Sequence, residues 1–180
     1  SEFQLDNVSH ILFKAAKYFQ NNWPGLTKSL CDLLKHQNPL ISSNVAQCLS
    51  NCIDDNLIDA RPYFEYLVGY IQNYLATPNE SSSDIIVSNL RLFYSLAKLI
   101  DQYLDLDHQI AIFSNAVNYI PNCMCKSQND PRIINDFFIF YKSHQNLFSG
   151  SYQKYYEVLM SIISNPDFCY ATRSSSIYTL

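Results

Sequence analysis

Glycine is nearly absent from this chain, with three residues in 180. That excludes a Gly-rich linker, a collagen repeat and the glycine cradles that hold dinucleotides or nucleotide phosphates. Charge is sparse too, at 16% of residues, and the formal net charge is −4. Binding to nucleic acid requires a basic face, so nucleic acid is disfavoured as a partner. No run of about 18 uncharged apolar residues occurs, which argues against a membrane span. What is present is 48% hydrophobic and 14% aromatic. Such a chain is too apolar to remain unfolded and long enough to bury a core.

Six cysteines invite a disulfide reading, but their spacing does not support one. Cys48 and Cys52 are four apart and stack on one helical face, and Cys31 sits in a Leu-rich stretch. Buried, reduced thiols are the expectation, because free cysteine behaves as a small hydrophobe. A Cys123/Cys125/His108 metal site is a weaker alternative: structural zinc takes four ligands, and no CxxC pair is present. No cofactor is implied.

Seven prolines punctuate the chain. Pro24, Pro39, Pro62, Pro131 and Pro166 each precede an apolar pattern of helical period, and Asn38, Asp130 and Asn165 stand just before three of them. An Asx side chain accepts an orphan amide there, and proline at the first helical position loses no intrahelical bond. Pro78 and Pro121 read as stops. The marks predict nine helices, over about 5–20, 24–36, 39–53, 62–76, 84–104, 106–120, 131–148, 151–164 and 166–179. Gly69 falls inside the fourth, where a close helix–helix approach would explain it.

Internal repetition is the informative test for an all-helical sequence. Counting from Pro39, apolar Ile41, Val45 and Leu49 fall at offsets of two, six and ten. Counting from Asp84 gives Ile86, Leu90 and Tyr94; from Pro131, Ile133, Phe137 and Tyr141; from Asp6, Val8, Leu12 and Ala16. In the last helix the same offsets give Thr172 and Ser176, so the apolar pattern fades. The starts at 39, 84 and 131 recur about every 45 residues, a period that an antiparallel bundle does not require and a two-helix solenoid does. Leu26 to Ile53 resembles a HEAT repeat, with Leu33-Leu34, a turn at Asn38-Pro39 and the apolar second helix. Ser42 stands where such repeats usually carry arginine, so the usual inter-repeat ladder is missing. The expected fold is all-α: a HEAT-like α-α superhelix of about four helix pairs plus an N-terminal half repeat. Ser1-Glu2-Phe3 reads as an expression scar, and 4–180 as a single HEAT-repeat segment of a longer protein.

Two stretches carry a resemblance. Asn22-Trp23-Pro24-Gly25-Leu26, leading into a Leu-rich helix, resembles helix starts of importin-β-type transport receptors. The run Asn129-Asp130-Pro131-Arg132-Ile133-Ile134-Asn135-Asp136-Phe137-Phe138, continuing through His144 and Leu147-Phe148, is similar to the C-terminal arch of the transportin-SR branch. Leu92-Phe93-Tyr94-Ser95-Leu96-Ala97 matches that branch's preceding repeat. The likeness covers roughly residues 23–180.

The resemblance implies a nuclear transport receptor, or karyopherin, working between cytoplasm and nucleus. Its cargo would be a protein lying on the second helices, and the GTPase Ran would be held by regions outside this segment. Where the branch carries arginines for phosphorylated Arg/Ser-rich cargo, this chain has Asn44, Gln47 and Ser50, followed by Asp54-Asp55. An anion-binding cluster needs guanidinium groups, so a basic or neutral cargo fits better. The candidate cargo-binding residues are Asn44, Gln47, Ser50 and Asp54, with Arg91 and Lys98 one repeat later. All six are expected on the outward side of their helices.

Enzymatic readings lack parts. Asp105 and Asp107 flank Leu106 at a helix start, where acids favour the dipole. His10, His36, His108 and His144 are scattered, and Ser81-Ser82-Ser83 read as loop and cap. Trp23 reads as a hydrophobic staple, with an interface anchor as the alternative. The alternatives to a transport receptor are a HEAT scaffold unrelated to transport and a helical-repeat RNA-binding protein. The second would place aromatic and polar pairs at fixed positions in every repeat, and no such recurrence is found.

Overall fold

The computed structural model describes residues 2–19, 23–76, 82–126, 130–148 and 150–180, without the side chains of 2–8 and 106. Asn22, Pro78, Ser81 and Asn129 therefore lie outside the described residues, as do the side chains of Asp6, Val8 and Leu106. Nine α-helices occur among the described residues: α1 Glu2–Phe19, α2 Leu26–Leu33, α3 Pro39–Asp54, α4 Phe64–Ala76, α5 Ser83–Asp101, α6 Leu106–Met124, α7 Arg132–Ser143, α8 Tyr152–Ser164 and α9 Tyr170–Thr179. Short 3-10 turns stand before α4 and after α7. None of these helices is long and apolar enough to cross a membrane.

The chain divides into two compact units, one of residues 1–71 and 88–103, the other of 72–87 and 104–180. Within each, long-range bonds join odd helices to odd and even to even. In the first unit, Lys17 of α1 pairs with Asp55 at the end of α3 (3.1 Å). Ser50 and Asp54 of α3 meet Ser95 and Lys98 of α5. These two contacts have sequence separations of 45 and 44, so α3 and α5 run parallel in the expected repeat register. The Tyr66 hydroxyl of α4 donates to the Cys31 carbonyl of α2 (3.0 Å). In the second unit, Arg132 of α7 pairs with Asp84 of α5, and Gln72 of α4 donates to the Ile112 carbonyl of α6 (2.8 Å). This alternation is the two-helix repeat, and the fold is all-α and solenoid-like.

Local chemistry explains most of the boundaries. The Asn38 side chain accepts from the Leu40 amide (3.0 Å), with Pro39 in the first turn of α3. Asp105 caps α6 by accepting from the His108 amide (3.1 Å). Asp130 accepts from the Arg132 amide (2.9 Å) at the start of α7. Gly25 precedes α2 at φ 78°, a conformation that glycine adopts at little cost. The repeat offsets land in the core: Val45, Leu49, Ile86, Leu90, Tyr94, Ile133, Phe137 and Ala16 are buried, as is Phe93. Ile41 and Tyr141, expected there too, are half-buried, each near an end of its helix, and so is Leu12 within α1.

Four expectations need correction. Pro121 does not stop α6, which runs on to Met124. Proline cannot donate to the carbonyl four residues back and pushes that carbonyl aside. Here the carbonyl, Val117, accepts the Tyr155 hydroxyl of α8 instead. The next one, Asn118, accepts the Lys154 ammonium (2.8 Å). Pro166 does not start α9: the Asn165 side chain takes the Asp167 amide (2.9 Å) in a tight turn, and the helix begins at Tyr170. Nothing lies within 4 Å of a β-carbon built at Gly69, so no close approach explains that glycine. Finally, Thr172 and Ser176 are fully buried, although polar. Ser176 satisfies itself by donating to the Thr172 carbonyl (3.0 Å), and Thr172 contacts the Cys169 sulfur (3.2 Å).

Candidate interaction surface

The six residues predicted from sequence all lie in the first unit, on α3 and α5. Asn44 is half-buried and donates to the Leu40 carbonyl of its own helix (2.8 Å). Gln47, also half-buried, donates to the Asn51 side chain one turn on (3.0 Å). Arg91 is half-buried as well. Asp54 and Lys98 are exposed and meet each other at 3.4 Å. The structure thus brings together two residues assigned to separate repeats.

Ser50 is a correction. Expected on the outward face, it is 2% exposed, and its hydroxyl lies 2.9 Å from that of Ser95 in the seam between α3 and α5. The reason is angular. Ser50 is adjacent to Leu49 on the helix, about 100° round from it, and parallel α5 covers that flank. Hydroxyl pairing lets two small polar residues be buried with donor and acceptor matched.

The seam also changes the electrostatics expected of Asp54 and Asp55. Lys98 neutralises the first and Lys17 the second, each lysine reaching in from a neighbouring odd helix. The pairs are exposed, at 41–65% of the side chains' accessible surface, and exposed pairs contribute about 0–1 kcal/mol each. Their carboxylates and ammonium groups can therefore be exchanged for a partner's at small cost.

Beside this flank lies a crevice of about 340 Å³, lined by Trp23, Thr27, Asn56, Asp59, Arg61, Tyr103 and aliphatic neighbours. The Asp59 carboxylate accepts from the Arg61 amide (3.1 Å) and grips the guanidinium through two further bonds, 2.8 and 2.9 Å. Those bonds hold the Asp59 carboxyl below its usual range. The guanidinium stands 5.6 Å from the Tyr103 ring centre, and Trp23 packs edge-on against Phe19. The sequence offered Trp23 as a staple with an interface anchor as the alternative, and gave no place to Asp59, Arg61 and Tyr103. Asp59-Ala60-Arg61-Pro62 held the one available signal, an acid two residues before Arg-Pro, which caps a turn. Tyr103 enters by tertiary packing and had no local signal.

All six cysteines are free thiols; Cys31, Cys48, Cys52 and Cys123 are buried. Burial pushes the Cys31 thiol up to about 11 and that of Cys123 up to about 12, far from a reactive thiolate. The hydrogen bond with Cys48, and then burial, push Cys52 up. No group of three His, Cys, Asp or Glu side chains that could hold a metal occurs among the described residues. His108 sits against the Asp105 carboxylate (2.8 Å), His36 accepts the Asn38 amide (3.0 Å), and the His144 ring stacks on Phe140. None of the protein-family models, curated proteins or solved structures compared with the chain matches it.

Proposed function

We propose that this chain is a non-catalytic, protein-binding segment of a helical-repeat receptor. We further propose that the receptor is a karyopherin of the importin-β kind, carrying a protein cargo between cytoplasm and nucleus. The observation that supports protein binding is the flank of α3 and α5. Asn44, Gln47, Asp54, Arg91 and Lys98 stand there on two parallel helices in repeat register, and the Asp54–Lys98 pair is exposed and exchangeable. A cargo helix or extended segment could replace the Asp54–Lys98 contact with its own basic and acidic groups, side by side. Mixed charge of this kind suits a dipolar or basic protein surface and repels a phosphate backbone. The transport assignment rests on the resemblance carried by residues 22–26, 92–97 and 129–148; Ran would bind outside this segment.

The two levels are tested separately. The full-length protein bearing this segment is passed over immobilised Ran loaded with GTP or GDP. Retention by the GTP form alone supports a transport receptor. No retention by either form removes that reading and favours a HEAT scaffold of another complex. Charge reversal at Asp54 and Lys98 together, read against a purified cargo, tests the flank itself. Affinity unchanged by the reversal would move the binding face elsewhere.

A further inference from the structure

Two segments of this chain share the pattern Asp-x-Arg and close the same ring of hydrogen bonds. In Asp130-Pro131-Arg132 the acid accepts the arginine's own backbone amide (2.9 Å) together with its Nε and Nη2. In Asp59-Ala60-Arg61 the acid takes the same three groups, at 3.1, 2.8 and 2.9 Å. A guanidinium carries five N–H donors in a rigid fork, so gripping one edge fixes the direction of the rest. Arg132 uses that remainder: its Nη2 also donates to Asp84 of α5, and one arginine serves two carboxylates. Arg61 has the same grip but meets no second carboxylate among the described residues. It lines the crevice of about 340 Å³ instead, together with Trp23 and Tyr103. The Tyr103 ring stands against the guanidinium, and both rings are partly exposed, Trp23 by 38% and Tyr103 by 56%. Aliphatic side chains of α1, α2 and α5 add to the walls.

We propose that this crevice is a docking site for a partner protein's peptide segment in which an acidic residue stands next to a large apolar one. The incoming carboxylate completes Arg61 as Asp84 completes Arg132, and the apolar side chain packs against Trp23 and Tyr103. Three observations select this occupant. First, the site lacks an acceptor. Asp59 is engaged by Arg61, whereas Nη1 of Arg61 and the indole N–H of Trp23 have no hydrogen-bond partner among the described residues. A cation does not suit it, because the guanidinium already stands against Tyr103 and repels a second positive charge. Second, a single negative charge fits. Asp59 stays beside the site, so a phosphate dianion meets a carboxylate at short range, whereas one carboxylate repeats the arrangement of Arg132 between Asp130 and Asp84. Because Arg61 is held in advance by Asp59, little side-chain freedom is lost when that carboxylate arrives. Third, the crevice is at the small end of ligand pockets, which span about 300–1,000 Å³, and its Trp, Tyr and Arg are the side chains that dominate binding energy at protein interfaces. The inference is independent of the transport reading and of the Asp54–Lys98 flank.

Trp23 is the chain's single tryptophan, so its fluorescence reads the crevice directly. The 180-residue protein is titrated with acetyl-Phe-Asp-amide, with its uncharged isostere acetyl-Phe-Asn-amide, and with acetyl-Ala-Asp-amide, which lacks the apolar body. A saturable change with a dissociation constant on the order of 1 mM or below is expected for the first. The other two should bind at least about tenfold more weakly. Arg61→Gln should bring the Asp and Asn peptides level, while Lys28→Gln, which removes a nearby surface charge, leaves their difference in place. Tyr103→Ala should weaken both Phe peptides and keep the ratio between them. Circular dichroism establishes that each variant is folded. No fluorescence change up to about 10 mM, equal binding of the Asp and Asn peptides, or an Arg61→Gln variant that still prefers the Asp peptide would overturn the proposal.

Discussion

The two units obey one repeat register with different materials. The first is built from aliphatic side chains and thiols: Leu30, Leu34, Leu49, Cys48, Cys52 and Leu67 are almost wholly enclosed. Its helices are joined at the surface by lysine–aspartate pairs. The second centres on rings. Phe137 stacks on Tyr155 at 5.0 Å, and Phe140, Tyr141 and Phe148 close around them edge-on or tilted. Its helices are joined by side chains that reach main-chain carbonyls. The difference teaches that repeat spacing constrains where a residue sits, while the filling is free as long as volume is conserved.

Four sets of substitutions would break or sharpen this contrast. The largest effect is expected in the first unit, from Ser50→Arg. It forces a charge into a seam closed by Ser95, where burying an unpaired charge is among the most damaging changes. We expect a loss of more than about 4 kcal/mol by urea unfolding; a loss below about 1 kcal/mol would mean that the seam opens freely. Next, Phe137→Ala should cost about 3–5 kcal/mol and Leu49→Ala about 2–5 kcal/mol. The ring cluster should suffer at least as much as the aliphatic core, and the reverse order would show that the rings are loosely packed.

Tyr155→Phe comes third, at about 1–3 kcal/mol, because it strands the Val117 carbonyl. Restoring a backbone donor with Pro121→Ala should shrink that cost in a double-mutant cycle; strict additivity would show the two sites to be unlinked. The smallest effect is a gain. Gly69→Ala has room for its methyl group and should stabilise the protein by up to about 1 kcal/mol, seen as a higher urea midpoint.

Much of the fold was legible because it is local. Asn38 before Pro39 and Asp105 before its helix act through neighbours within three residues, and the offsets of Val45, Leu49, Leu90 and Phe137 follow from helical period alone. What escaped depends on a second element. Ser50 reads as surface until Ser95 arrives, and Pro121 reads as a stop until Tyr155 supplies the missing donor. Thr172 and Ser176 look like a fading pattern, yet hydroxyls that bond within their own segment can be enclosed like small apolar groups. The candidate surface was legible in part for a similar reason. Asp54 and Lys98 could be placed on comparable flanks, but their meeting at 3.4 Å belongs to the packing.

The proline in α6 has one more consequence. A helix that contains its own interruption is incomplete alone, because the Val117 carbonyl, which Pro121 leaves without an amide donor, finds its partner on α8. In a linear array, stability divides into what each repeat contributes by itself and what adjacent repeats contribute together. Pro121 moves weight from the first share to the second. The C-terminal half of α6 and the start of α8 should then lose their amide-exchange protection as one cooperative block, with one imino acid setting the size of the smallest piece that can come undone.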